Sequence, residues 1–134
     1  MLNLEIVTPE KTLVKEAVDM VEAKGAYGEF GLLPGHTQFL TTLEIGEVRY
    51  MKGDKTTHLS ISGGYAEVVE DKVVMLLDTA EFAEDIDIER AKKAKDRAET
   101  ALKTAVSEDT EYRIYELALL RAITRISVAS KKTG

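Results

Sequence analysis

The sequence predicts an α+β protein in which antiparallel strands precede a hairpin of two antiparallel helices. Apolar residues recur at every second position up to about residue 84 and at every third or fourth position beyond it. Turn residues interrupt the first part at short intervals, and the helix-capping residues Asp85 and Asp87 lie where the period changes. We therefore predict a sheet domain at 1–84 and a helical hairpin domain at 85–134.

Size and composition are those of a small folded protein, with 134 residues of which 44% are hydrophobic. Because the chain has no cysteine, it has no disulfide, no thiolate nucleophile and no cysteine metal site, as is typical of a reducing cytosolic compartment. No stretch approaches the roughly 18 apolar residues of a membrane span, and no signal sequence opens the chain. We expect a protein that is neither secreted nor inserted in a bilayer.

The formal net charge of −6 is unevenly distributed along the chain. Residues 1–84 carry a net charge of −8, whereas residues 85–134 carry +2. An acidic chain disfavours binding to nucleic acid or to anionic lipid. The basic bias of the second part has two interpretations: solvated helix faces with local ion pairs, or a surface for an acidic partner or a phosphate.

The first part of the chain is a series of short predicted strands. Leu2, Leu4 and Ile6 alternate with other residues, and this strand ends at Pro9 because proline cannot donate to a sheet ladder. Many short strands with regular turns form a sandwich or a flattened barrel. The further strands are predicted at 12–17, 18–24, 39–43, 47–51, 56–62, 66–69 and 72–77.

The same pattern predicts the core and the turns. The strand at 72–77 is apolar on both faces, so we place it centrally in the sheet. The further core candidates are Ile6, Met20, Val48, Leu59, Ile61 and Val68. The predicted turns contain Gly25 and Gly28, Pro34 and Gly35, Gly46, residues 52–55, Gly63 and Gly64, and Glu70 and Asp71.

The segment at 28–36 places large apolar residues in a stretch that is predicted to be too irregular for a strand interior. Pro34 followed by Gly35 predicts a turn with a positive φ at the glycine. One interpretation is that the apolar side chains plug an open end of the sheet. The other is that they form a docking surface, with Glu29 as a polar contact at its rim. The apolar residues are Phe30, Leu32 and Leu33.

His36 and His58 are the two histidines of the sequence, and neither belongs to a serine–histidine–acid or HExxH arrangement. His58 is predicted to face solvent from a strand. His36 is predicted to hydrogen-bond its own loop or a partner. We therefore predict no catalytic residue and no metal site.

The second part of the chain predicts two helices joined by a short break. Asp85 and Asp87 each suit the N-cap of the first helix, and Glu89 suits the positive end of its dipole. Capping residues at 107–110 predict the break, and the second helix follows at 111–129. The apolar stripes are Ile88, Ala91, Ala94, Ala98, Leu102 and Ala105 in the first helix, and Tyr115, Leu119, Ala122, Ile126 and Ala129 in the second.

Alanine dominates both stripes, which lets the helices approach closely but removes little apolar area from water. We therefore expect a hairpin of marginal stability, which a ligand or partner supplying a few kcal/mol is able to move.

Four arginines of the helices predict a candidate phosphate site. Arg121 and Arg125 lie one turn apart, and across the hairpin they could converge with Arg90 and Arg97 on a phosphate chain. The alternative is an aspartate N-cap, a surface pair between Asp87 and Arg90, and arginines that face water or acidic partners. The sequence has no glycine-rich phosphate loop, so neither a P-loop nor a Rossmann site is predicted.

With these motifs in view, the whole chain resembles the epsilon subunits of bacterial F-type ATP synthases. The resemblance rests on residues 7–9, 28–36 and 62–68, on the Ile86-Asp87-x-x-Arg90-Ala91 motif, and on residues 120–129. Tyr65 stands where this family often has phenylalanine, and Ile126 where it usually has leucine.

The resemblance implies a β-sandwich of about ten strands that binds the gamma subunit and the c ring, with Glu29 facing the c ring and His36 near gamma. It implies a non-catalytic rotor subunit at the cytoplasmic face of the cell membrane, which couples proton flow to rotation and ATP synthesis. It also implies that the helices extend transiently among the alpha and beta subunits and inhibit ATP hydrolysis.

Some members of this family bind ATP, so the resemblance implies a regulatory ligand but no required cofactor. An alternative function is a free-standing ATP-sensing module without a rotor role. A nucleotide-hydrolysing enzyme, suggested only by the pair Asp85 and Asp87, is disfavoured. The matching positions of the candidate ATP site are Glu81, Ile86, Asp87, Arg90, Ala91, Arg97, Arg121 and Arg125.

Overall fold

A computed structural model describes residues 1–36, 38–106 and 110–131. The predicted break at 107–110 lies largely outside these described residues. The predicted α+β architecture is confirmed, with all the described strands before the two helices. The strands are β1 Leu2–Val7, β2 Thr12–Val18, β3 Met20–Gly25, β4 Gly28–Leu32, β5 Phe39–Lys52, β6 Lys55–Val69, β7 Lys72–Leu77 and β8 Ala80–Phe82. A 3₁₀ turn at Ala83–Asp85 leads to helices α1 Ile88–Thr104 and α2 Thr110–Ala129.

The strands form one hydrogen-bonded sheet in the order β2-β1-β7-β6-β5-β3-β4, and β8 pairs with β6. Neighbouring strands are antiparallel except β1 and β7, which run parallel. The prediction of a purely antiparallel sheet is therefore wrong at this pair. β7 lies inside the sheet between β1 and β6, as its apolar sequence predicts.

Two long strands fold this sheet into two layers. The first part of β5 pairs with the last part of β6, beside β7, whereas the last part of β5 pairs with the first part of β6, beside β3 and β8. Although three strands separate β2 from β5 in the sheet order, the two contact each other across the core. The sheet is thus closed on itself as a sandwich.

The described residues contain eight strands, where the resemblance implied about ten, and two predicted turns lie inside strands. Gly46 lies within β5, and Gly63 and Gly64 lie within β6. At Gly64, with φ 148°, a Cβ atom would collide with the backbone carbonyl oxygen of Leu76. Gly63 and Gly64 mark close backbone approach and not chain reversal, whereas a Cβ at Gly46 would make only an ordinary contact with the Lys24 side chain.

One core cluster joins the strands β1 to β7. The predicted core residues Ile6, Val48, Leu59, Ile61 and Val68 are buried, as are Val73, Met75 and Leu77 of β7. Two predictions need correction. Met20 is only partly buried, since it lies at the start of β3, and Leu76 of β7 is 54% exposed because it points to the outer face.

The segment 28–32 is a strand, so the prediction of an irregular loop is wrong here. β4 pairs with β3 through a tight hairpin that closes between Gly25 and Gly28. Gly31 allows the close approach, since a Cβ at this position would lie 3.0 Å from the Cε atom of Met20. Gly31 therefore fits a crowded edge strand, whereas a Cβ at Gly28 would meet no atom within 4 Å.

The helices form the predicted antiparallel hairpin. Asp87 is the N-cap of α1, and its side chain accepts a hydrogen bond from the backbone N–H of Arg90. Four alanines of the predicted stripes are buried: Ala91, Ala98, Ala122 and Ala129. Helix α2 also contacts β5, β6 and the 3₁₀ turn, so the hairpin lies folded against the sandwich.

Candidate functional site

An exposed turn at residues 33–36 follows β4. The backbone N–H of His36 donates to the carbonyl oxygen of Leu33 at 3.2 Å, and Gly35 has the predicted positive φ, 85°. Proline at the second and glycine at the third position are typical of a type II turn. The turn leaves the side chain of Leu33 56% exposed.

Two contacts hold this exposed turn in place. The backbone N–H of Gly35 donates to Oδ1 of Asp71 at 2.7 Å. The ring of His36 meets the edge of Phe39 at a centroid distance of 5.7 Å, and Phe39 in turn packs against Phe30 at 5.2 Å. Sequence reasoning named Asp71 only as a turn residue and missed this role, because Gly35 and Asp71 are 36 positions apart.

The structure separates the five residues predicted for docking into two groups. Leu32 is fully buried and Phe30 packs against the core, as the interpretation of an apolar plug requires. Glu29, Leu33 and His36 lie at the surface. Glu29 lines a groove beside α2, which places it on a different part of the surface from the 33–36 turn.

Two ion pairs fasten α2 to the sandwich. The guanidinium of Arg125 donates two hydrogen bonds to the carboxylate of Glu81 on β8, from Nε to Oε1 at 2.6 Å and from Nη2 to Oε2 at 3.3 Å. Lys131, just beyond α2, places Nζ 2.6 Å from Oε2 of Glu47 on β5. Between the two pairs lies a small apolar contact, formed by Ala83, Ile86, Ile88, Val128 and Ala129.

Glu47 is the centre of a larger charge network. Its Oε1 atom lies 2.9 Å from Nδ1 of His58 and accepts from Nη1 of Arg49 at 3.4 Å, while Nη2 of Arg49 donates to Glu22 at 2.8 Å. Burial alone would raise the pKa of Glu47, but the hydrogen bonds and charges of Lys131 and His58 hold that pKa below its ordinary value.

The prediction that His58 faces solvent is therefore wrong. Its side chain is only 18% exposed, because the strand pairing of β5 with β6 sets it beside Arg49 and within reach of Glu47. Sequence position alone could not reveal this contact.

The candidate ATP residues occupy four environments. Ile86 and Ala91 are buried, Asp87 is used as the helix cap, and Arg125 is neutralised by Glu81. The expected surface pair between Asp87 and Arg90 is a hydrogen bond to the Arg90 backbone and not to its guanidinium. Within the described ranges the exposed side chains of three arginines have no ion pair: Arg90, Arg97 and Arg121.

The described residues show neither a cluster that could bind a metal ion nor a helix that could span a membrane. No group of three or more His, Cys, Asp or Glu that could hold a metal ion is found among residues 1–36, 38–106 and 110–131. No helix in the described part of the chain is both long and apolar enough to cross a membrane.

Two family descriptions match consecutive parts of the chain. The family domain described as "ATP synthase, Delta/Epsilon chain, beta-sandwich domain" matches residues 1–83. The domain described as "ATP synthase, Delta/Epsilon chain, long alpha-helix domain" matches residues 84–130.

Curated relatives are similar over nearly the full length. The ATP synthase epsilon chain of Geotalea daltonii is 53% identical over 130 residues, which cover 97% of this chain and 94% of the relative. That of Geobacter sp. strain M21 is 52% identical over 132 residues, which cover 98% and 96%.

Solved structures share the fold. A chain of the Euglena gracilis mitochondrial ATP synthase, from the OSCP/F1/c-ring structure in rotational state 1, matches with a TM-score of 0.81 and 27% identity, over 98% of this chain and 81% of that chain. A chain of the Tetrahymena thermophila central stalk and c-ring structure matches with a TM-score of 0.61, over 97% and 94%; at 12% identity it shows the fold alone.

The fold and the site define a small accessory protein, a β-sandwich that carries a helical hairpin on its surface. The chain belongs to the ATP synthase delta/epsilon chain family and is a non-catalytic subunit of that complex. The resemblance drawn from the sequence is therefore confirmed.

Proposed function

We propose that this subunit links the gamma subunit to the c ring in the central stalk of a bacterial ATP synthase, and thereby couples proton flow to ATP synthesis. The observation that supports this most directly is the turn at 33–36, which presents Leu33 to solvent while its backbone is held on two sides. Glu29, Leu33 and His36 are the docking residues that remain at the surface. Phe30 and Leu32 support them from the core.

A binding titration of the full-length chain with a gamma–c-ring assembly tests this function. Leu33→Asp puts a charge into the proposed contact and should weaken binding by at least roughly tenfold, since a charge buried without a partner is costly. Ile114→Asp is the matched control, because Ile114 of α2 is 54% exposed and lies outside the proposed contact. No binding by the wild type, or equal binding by both variants, contradicts the proposal.

The helical hairpin is proposed to regulate the complex by leaving the sandwich. Its contact with the sandwich consists of a small apolar cluster and two ion pairs, so little free energy holds it down. Two large apolar residues of α2, Leu120 and Ile123, stay 42% and 44% exposed even in the folded arrangement. Released, the hairpin would reach the alpha and beta subunits and inhibit ATP hydrolysis.

ATP is proposed as a regulatory ligand of the folded hairpin. Three exposed arginines without an ion pair are available for phosphates, and Arg125 becomes available when Glu81 releases it. In calorimetric titration with ATP, Arg90→Ala and Arg121→Ala should each weaken binding by roughly tenfold. Arg113→Ala, a 69% exposed arginine of α2 outside the candidate site, should not.

The titrations with ATP and with the rotor assembly also distinguish the alternative function. ATP binding without binding to the gamma–c-ring assembly would favour a free-standing ATP-sensing module. Equal ATP affinities of the wild type, Arg90→Ala and Arg121→Ala would contradict the candidate ATP site in either case.

The proposed location is peripheral, at the cytoplasmic face of the cell membrane. The relatives are subunits of ATP synthase, and the described residues contain no helix that could span a bilayer. Attachment would come through the rotor partners, with neither bilayer insertion nor nucleic acid binding.

A further inference from the structure

We propose that Asp71 is a positioning residue that presets the conformation of the 33–36 turn for docking. This inference rests on the proposed docking function. Asp71 does not need to touch the partner, because it acts through its hydrogen bond with the backbone N–H of Gly35.

Asp71 lies in an unfavourable backbone conformation. The turn between β6 and β7 has φ 48° at Glu70 and φ 63° at Asp71, and these two are the non-glycine residues with positive φ within the described parts of the chain. Two successive positive φ angles are typical of a turn that favours Asn-Gly, and a non-glycine residue there is strained. A strained residue that persists points to a compensating role.

The backbone strain at Asp71 is offset by the contact that its side chain makes. From this left-handed position its carboxylate reaches the exposed turn and accepts the N–H of Gly35 at 2.7 Å, a charge-assisted bond. Its own carbonyl oxygen accepts the N–H of Asn3 at 2.8 Å, which ties the same residue to β1. One residue thus connects the exposed turn to β1, an interior strand of the sheet.

The opposite flank of the turn is fixed by aromatic packing. His36 contacts Phe39, and Phe39 packs on Phe30, which is partly buried against the core. Leu33 and Pro34 lie between these two supports. A loop held in its bound conformation loses less entropy on association, so its support contributes to affinity without contact.

The experiment compares three full-length variants in the titration with the gamma–c-ring assembly. Asp71→Gly relieves the backbone strain and removes the carboxylate. Glu70→Gly relieves the same strain in the same turn, but the side chain of Glu70 is exposed and forms no hydrogen bond or ion pair within the described residues. Asp71→Asn keeps an acceptor oxygen at the same distance from the backbone.

Asp71→Gly should weaken binding by roughly tenfold and speed amide exchange at Gly35 by a similar factor. Glu70→Gly should change neither quantity, and Asp71→Asn should restore most of both. Equal losses in the two glycine variants would assign the effect to turn flexibility and overturn the inference. So would faster exchange at Gly35 without weaker binding. Failure of the wild type to bind would overturn the proposed function and this inference together.

Discussion

Gly64 allows β6 to approach β7 more closely than a side chain would permit, since a Cβ there meets the carbonyl oxygen of Leu76. Gly64→Ala should therefore lower the free energy of unfolding by roughly 3 kcal/mol or more, through steric overlap and a strained φ together. Gly53→Ala is the control: its φ is 60° but no atom lies within 4 Å of the added Cβ, so about 1 kcal/mol is expected. Equal losses in urea denaturation would contradict the steric argument.

Glu47 makes the hairpin contact dependent on pH. Its folded pKa is lowered from 4.5, so its contribution to stability is complete above that value and is lost as the pH falls through the lowered pKa. The free energies of unfolding of the wild type and Glu47→Gln should differ by a constant amount at neutral pH and converge in acid. The same substitution should speed amide exchange in α2, because it removes the ion pair with Lys131.

Glu44→Gln provides the matched control for Glu47→Gln. Glu44 lies on the same strand and its side chain is 52% exposed. It pairs with Lys24 at 3.7 Å and not with Lys131. It should leave exchange in α2 unchanged. If both variants speed that exchange equally, net charge and not the Glu47–Lys131 pair controls the hairpin.

Residue roles that depend on distant partners could not be predicted from the sequence. Periodicity identified Ile6, Val48 and Leu59 as core residues because burial alternates locally along a strand. It could not predict that Glu47 meets Lys131, since 84 positions separate them and only the fold brings them together.

At the scale of elements, Asp87 decides where the helical arm begins. Its carboxylate accepts the backbone N–H of Arg90 at 3.1 Å, whereas Asp85, the other N-cap candidate, ends the 3₁₀ turn. Asp87→Ala should cost about 1 kcal/mol of helix stability, and Asp87→Asn much less, because asparagine also caps well. Amide exchange at the start of α1 measures this, with Asp85→Ala as the control; a larger effect of Asp85→Ala would contradict the assignment.

The element boundaries that the sequence missed share one cause. Gly46 and Gly63 were assigned to turns because glycine usually ends strands, yet both lie inside strands, and Gly63 permits close backbone approach there. The glycines of β4 concealed a strand in the same way. The helices were predicted well, since a stripe at helical spacing and a capping residue are local signals.

At the scale of the whole molecule, the sandwich core is complete without the helices. Within the described residues, the main core cluster contains no residue beyond Phe82, and the hairpin adds a separate small cluster. Removal of residues 84–134 should therefore leave the sandwich folded and able to bind the rotor partners. In an assembled complex it should raise ATP hydrolysis, and unchanged hydrolysis would contradict inhibition by the hairpin. A circular dichroism spectrum that keeps the β-strand signal would show that the truncated chain is still folded.

The continuous strands β5 and β6 have a mechanical consequence. Each runs through both layers of the sandwich, so the two layers are joined along covalent backbone and not by side-chain packing alone. Torque applied to one layer would be transmitted to the other through the covalent backbone of these two strands. A body of this construction is suited to turning as a single piece under load.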